Sequence, residues 1–264
     1  MKSTCVLVTG ANRGYGNAIA HAFTRTLDDC CVLIVHSRTG HVEMEKTECT
    51  IVELIGDLAT DTVAKQIESM DLSQYKTGYL IHNAGSPGDC SAPILEQSLS
   101  ADQFNEFFAS NITQLIRISQ TFLKKFDSRV CVNVSSLLAL IRVPKCVMYS
   151  IAKAARDIAI ENMGKWTLMF KKRDKSLNEA LEDPNGFYLN WAPGPMPTRM
   201  FEYMKGTVVN DPKSTQADID LWQNMTLIDL RTSAETMVKL VTSADRAQFN
   251  GKHVDFFDID VDKL

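Results

Sequence analysis

The sequence predicts an α/β fold built on a doubly wound parallel sheet. Seven short apolar runs recur along its 264 residues, and longer amphipathic stretches separate them. A loop spaced by glycines stands directly between the first apolar run and the first amphipathic stretch. Strand, helix and strand repeated in this way give parallel strands with helices on both faces. Chains of this length often form one α/β domain. No repeat, low-complexity tract or composition shift marks a linker, so residues 1–264 read as a single domain.

The strand candidates, in order, are TCVLVT (4–9), CVLIVH (31–36), TIVELI (50–55), GYLIH (78–82), RVCVNV (129–134), GFYLN (186–190) and KHVDFF (252–257). Most lack polar alternation, as strands covered on both faces do. Helical stretches are expected at 15–28, 60–70, 101–126, 149–182 and 232–243. The segment 165–182 is charged and helix-compatible, and its KKRDK cluster fits either a solvated helix face or a docking patch.

The formal net charge is −4 and the pI about 5.8, a balance that argues against nucleic-acid and anionic-membrane partners. No apolar run is long enough to cross a bilayer. The chain enters a strand-like run at once, so a soluble, reducing, cytoplasmic setting is expected. Its seven cysteines show no CxxC spacing, and no metal site is expected. Cys5 and Cys131 lie inside apolar runs, where a reduced cysteine acts as a small hydrophobe.

The loop TGANRGYG (9–16) places Gly10, Gly14 and Gly16 between the first strand and the first helix. Glycines there let the backbone turn and approach a pyrophosphate, which then sits on the helix N-terminus. Asn12, Arg13 and Tyr15 share that loop, which marks a Rossmann-type dinucleotide site. The second strand ends in VHSRTG, without the acid that NAD sites use for the ribose 2′-hydroxyl. Arg38, next to Thr39, and Arg13 suit a 2′-phosphate by charge and by forked hydrogen bonds, so NADPH is the expected cofactor.

Tyr149 and Lys153 stand four residues apart in YSIAK, on one face of a helix. A free tyrosine has a pKa of about 10, and a nearby ammonium lowers it, giving an acid or base for a carbonyl–alcohol pair. Ser136 closes NVSS at a strand's carboxyl end, where sites on such sheets gather. Asn111 lies in SNIT, and Asn83, Ala84 and Gly85 follow the fourth strand.

Taken together, TG-x3-G-x-G, NAG, the asparagine, the serine, Y-x3-K and a later PG resemble the short-chain dehydrogenase/reductase family over essentially the whole chain. The resemblance implies a catalytic tetrad of Asn111, Ser136, Tyr149 and Lys153. Tyr149 would donate the proton and Ser136 would hold the substrate oxygen. Lys153 would bind the nicotinamide ribose and depress the tyrosine pKa, and Asn111 would hold a relay water. It also implies adenine-side contacts from Asp57 and Leu58. Pro193, Gly194, Met196 and Thr198 would then form a nicotinamide loop that opens a substrate-loop region at about 194–230. His82 departs from the family's usual asparagine, with little effect expected.

Finer stretches, namely NAGSPGD, AKAARD, NWAPGPMPT and HVDFFD, are similar to the sepiapterin reductase branch of that family. That branch is homodimeric, cytosolic and NADPH-dependent. It reduces side-chain carbonyls of pterins (sepiapterin, 6-pyruvoyl-tetrahydropterin) in tetrahydrobiopterin biosynthesis. Asp255 would then anchor the pterin edge by a forked pair, with Gly194 near the substrate. Trp191, Met196 and Trp222 are candidate apolar walls. Between AKAARD and NWAPGP the chain looks longer than the vertebrate members. A broader carbonyl or diketone reductase, and a non-catalytic NADPH-binding sensor, are the competing functions.

Overall fold

A computed structural model describes residues 4–27, 31–141, 143–171 and 185–260. Seven strands form one wholly parallel sheet in the order β3-β2-β1-β4-β5-β6-β7. They are β1 Thr4–Val8, β2 Cys31–Ser37, β3 Thr50–Ile55, β4 Thr77–His82, β5 Ser128–Val134, β6 Gly186–Ala192 and β7 Lys252–Asp255. The strand order reverses between β1 and β4, which opens a crevice at their carboxyl ends.

Alternate side chains of each strand enter different cores, as the two-residue period of a strand requires. Val6 and Val8 pack towards α1 (Gly14–Thr26) and α8 (Leu230–Thr242). Cys5 and Leu7 pack on the other face, towards α2 (Thr62–Ser69), α4 (Gln114–Phe122) and α5 (Val147–Lys171). All four are fully buried. A buried valine or leucine contributes about 1.5–3 kcal/mol relative to exposure. That two-sided burial is why these runs show no polar alternation.

The helix expected over 101–126 is broken. α3 (Ala101–Phe108) begins with a capping box between Ser100 and Gln103, and a π turn over Ala109–Thr113 leads into α4. Such a bulge widens the helix and commonly marks a functional position. The region 194–230 contains two helices, α6 (Arg199–Val209) and α7 (Gln216–Gln223), capped by Thr198 and Thr215. They are short, and α7 buries no residue, so neither leaves a strong apolar stripe. Residues 172–182 of the expected long helix lie outside the described residues. Cys5, Cys90, Cys131 and Cys146 are buried free thiols, whereas Cys49 is disulfide-bonded, which departs from a wholly reduced set. Among the described residues, no helix is long and apolar enough to cross a membrane.

Candidate active site

The glycine loop is shaped by backbone constraints. Gly10 and Gly14 adopt φ of 67° and 58°, which side chains disfavour. A Cβ on Gly16 would lie 2.2 Å from the Gly10 carbonyl oxygen and 2.3 Å from Asn83 Nδ2. α1 starts here with no side-chain cap and no acid in its first turn, so its leading N–H groups face outward for an anion. Asn12, Arg13 and Gly14 are exposed. The Tyr15 side chain is buried instead. Its hydroxyl meets Ser233 Oγ at 3.0 Å and accepts from Trp191 Nε1 at 2.8 Å, so only its backbone serves the loop. Trp191 is therefore a core residue and not a pocket wall.

Thr9 and Asn83 lock this loop to the end of β4. Thr9 Oγ1 accepts from the amides of Asn83 and Ala84 at 3.0 and 3.1 Å. Asn83 Nδ2 donates to the carbonyls of Thr9 and Gly10. The Asn83 side chain is thus committed to the protein, while Ala84 and Gly85 form the floor beside it. Asp57 turns the chain after β3, accepting from Ala59 N at 2.8 Å, and its carboxylate stays exposed, with Leu58 half-buried beside it. Arg38 and Thr39 are exposed at the end of β2, and neither Arg13 nor Arg38 is bonded to another described side chain. Two unpaired guanidiniums beside an uncapped helix suit a phosphorylated dinucleotide.

His36 was not among the expected site residues. Its Nδ1 accepts from Gly10 N at 3.2 Å, so its Nε2–H donates to the Gly56 carbonyl at 3.0 Å. Burial lowers its pKa and keeps it neutral, the form this pair of bonds requires.

The four residues of the expected tetrad lie near the carboxyl ends of β4 and β5. Asn111 sits in the π turn, 2% exposed, accepting from Ser86 N at 3.0 Å and donating to the Phe107 carbonyl at 2.9 Å. Ser136 caps a short 3-10 turn by accepting from Leu138 N. Lys153 Nζ donates to the Val134 carbonyl and lies 5.4 Å from the centre of the Tyr149 ring. Burial pushes the Tyr149 phenol up to about 12, while hydrogen bonding with Ser136 and the charge of Arg156 pull it down. The lysine is itself buried, its pKa driven well below the ordinary ammonium range by desolvation and then by Arg156. Arg156 is thus a second buried cation, beside Lys153, whose charge favours the phenolate.

Beyond β6, Gly194 takes φ 79° and packs against Ile228 and Phe257. Pro193 and Met196 are buried, and Thr198 Oγ1 caps α6 by accepting from Phe201 N. Trp222 packs on Phe201, with ring centres 5.7 Å apart. Asp255 closes β7, and its Oδ1 already accepts from Phe257 N at 3.0 Å. One oxygen is thus engaged locally, and a forked pair would need Oδ1 to accept a second donor. A separate open recess of about 510 Å³ lies between α6 and the Lys145–Asp211 ion pair, and no tetrad residue lines it.

The sequence reading missed a buried polar row beneath the site. His82, Asn133, Asn190 and His253 are register partners across β4, β5, β6 and β7. Arg156 and Asp157 of α5 bind into that row, and both are at least 96% buried. The signal was a histidine or asparagine near the carboxyl end of each of the four strands.

The model of the short chain dehydrogenase family matches residues 4–166. The chain belongs to the short chain dehydrogenase family. It is 30% identical to "Sepiapterin reductase" of Rattus norvegicus across 97% of both chains. It is also 24% identical to "Benzil reductase ((S)-benzoin forming)" of Bacillus subtilis, over 78% of this chain and 79% of that one. A short-chain dehydrogenase from Sphingobium yanoikuyae, solved in complex with NADPH, shares the fold with a TM-score of 0.66 at 17% identity, covering 96% of this chain and 87% of that one. Family membership and the sepiapterin reductase relatives make this chain an oxidoreductase acting on a carbonyl–alcohol pair.

Proposed function

We propose that this chain is an NADPH-dependent reductase of pterin side-chain carbonyls, of the kind sepiapterin and 6-pyruvoyl-tetrahydropterin carry, working in tetrahydrobiopterin biosynthesis. The observation that carries this reading is the full-length similarity to sepiapterin reductase, with Asp255 at the carboxyl end of β7. NADPH would be held by the Gly10–Gly16 loop, the floor at Asn83–Gly85, the loop from Pro193 to Thr198 and, at its 2′-phosphate, Arg13 and Arg38. When bound, the reduced nicotinamide supplies a hydride.

The chain's own residues do the rest. The buried phenol of Tyr149 stays protonated at neutral pH, the form that gives a proton to a carbonyl oxygen. Ser136 would hydrogen-bond the same oxygen and fix its direction. Lys153, anchored on the Val134 carbonyl, would hold the nicotinamide ribose. A gap of about 10 Å³ beside Asn111, Ser110 and Gln114 is close to the space one water needs, which supports a proton relay through Asn111. Asp255 would accept from the pterin 2-amino group and ring N–H, aligning the side-chain carbonyl. A cytoplasmic homodimer completes the reading. Ile116 of α4 and Ile151 and Ile158 of α5, all exposed, support an interface on those helices. Light scattering tests it.

The decisive assay follows NADPH oxidation at 340 nm with sepiapterin, a simple diketone and an NADH control. Strong preference for sepiapterin with NADPH is expected, as is a raised sepiapterin KM in Asp255→Asn. Turnover of the diketone alone favours the second reading, a broader dicarbonyl reductase. The benzil reductase similarity and the local bond on Asp255 Oδ1 support that alternative.

A further inference from the structure

Arg156 follows Lys153 by three residues and shares the helix face that carries Tyr149. It is 1% exposed, and all three of its nitrogens find acceptors. NH1 donates to the Ala84 carbonyl at 2.9 Å, NH2 donates to the His82 carbonyl, and Nε donates to Asn133 Oδ1 at 2.7 Å. The first two are backbone groups at the end of β4, where the floor for the dinucleotide begins. No carboxylate pairs directly with this guanidinium among the described residues.

Asp157, the next residue, faces the other way along the row. Its Oδ1 accepts from Asn133 Nδ2 at 2.9 Å, and its Oδ2 accepts from His253 Nδ1 at 2.7 Å. Its backbone carbonyl accepts from Asn190 Nδ2 at 3.0 Å. His253 stands two residues before Asp255, on the same face of β7. One side of the network therefore ends on the loop beneath the dinucleotide. The other ends on the strand that carries Asp255.

We propose that Arg156 and Asp157 are positioning residues that set two edges of the site separately, the cofactor floor through the His82 and Ala84 carbonyls and the substrate edge through His253. Burying a guanidinium that no carboxylate bonds directly is costly unless its donors find other acceptors. A core built only for stability would fill this space with apolar side chains. The network instead ties the catalytic helix to β4 on one side and β7 on the other, where a small shift misplaces a reacting group. The substrate half of this inference rests on Asp255 touching the substrate. The cofactor half does not.

The test reads the two edges apart. Arg156→Met should raise the NADPH Kd about tenfold, measured by nucleotide fluorescence titration, with sepiapterin KM changed less than about twofold. Arg156→Lys should recover part of that loss, and it serves as the fallback where Arg156→Met fails to fold. His253→Leu should raise sepiapterin KM about fivefold with NADPH Kd held, and His253→Asn, whose amide can replace the Nδ1 donor, should restore it. Kd and KM moving together in both variants, in step with the melting temperature, would overturn the proposal. So would no movement in either. If the wild-type protein does not turn over sepiapterin, the pterin reading fails on its own. The Arg156 titration needs no substrate and still decides the cofactor half.

Discussion

The two halves of the sheet's carboxyl edge are built by opposite means. From β1 to β3, the edge is shaped by backbone: glycines at φ 67° and 58°, a crowded Gly16, an uncapped helix start, and neutral bonds from Thr9 and His36. From β4 to β7, it is shaped by side chains: Arg156, Asp157, two asparagines and a histidine, all turned inward. Under the proposed function, the difference follows from what each half would present. A pyrophosphate is recognised by N–H groups that any sequence carries once the chain can turn. A proton donor needs a set pKa and a fixed direction, and only side chains held in a low-dielectric setting supply both.

The largest test of this contrast removes one atom from the second half. Tyr149→Phe should cost about 10²–10⁴ in kcat for carbonyl reduction, with NADPH affinity and melting temperature nearly unchanged. Steady-state kinetics beside a fluorescence titration check it. A loss of nucleotide binding instead would mean that the two halves are not separable.

The companion test adds one atom to the first half. Gly16→Ala drives a methyl group into the Gly10 carbonyl, a rigid backbone atom. Overpacking of this kind costs about 1–3 kcal/mol. The expected result is a lower melting temperature and weaker NADPH binding, while kcat at saturating NADPH changes far less.

Arg38→Ala sharpens the point about cofactor choice. Losing one charge-assisted contact of about 1.5–3 kcal/mol should lower the NADPH-over-NADH preference about tenfold or more, read as the ratio of kcat/KM values. An unchanged ratio would assign the 2′-phosphate to Arg13 alone.

The smallest expected effect is in pH. Tyr149 has its pKa raised by burial, so its proton is held below the ordinary tyrosine value and lost as pH rises towards about 12. Reduction should therefore stay level through neutral pH and fall only on the alkaline side, while the reverse alcohol oxidation rises there. His36 behaves oppositely. Its pKa is lowered, so its contribution is complete above the ordinary histidine value of 6.5 and fades as pH falls through the folded value. NADPH affinity should weaken modestly on the acid side, and His36→Gln should flatten that limb. A Kd insensitive to acid in the wild type would remove His36 from the loop's support.

Most of the fold was legible because it rests on local pattern. All seven strands appear within a few residues of their expected spans, since burial on both faces writes itself as uninterrupted apolar residues. The glycine loop was legible for a similar reason, because a tight turn before a helix permits few residue types. The helices at 199–209 and 216–223 were not, being short and held by caps and tertiary contact rather than by a long apolar face. The π turn around Asn111 escaped because the periodicity of 101–126 suits an unbroken helix equally well.

By itself, then, the sequence determined the doubly wound sheet and the glycine loop, and it pointed to Asn111, Ser136, Tyr149 and Lys153 as the tetrad proposed here. These depend on residue type and on spacing along the chain. Only the tertiary structure decided that a second cation, Arg156, is buried near Tyr149, that Tyr15 and Trp191 belong to the core, and that His82, Asn133, Asn190 and His253 form one row. Those facts depend on register between strands far apart in sequence and on how deeply each charge is buried. A pKa is set by desolvation and by distance to other charges. Neither quantity exists until the chain has folded.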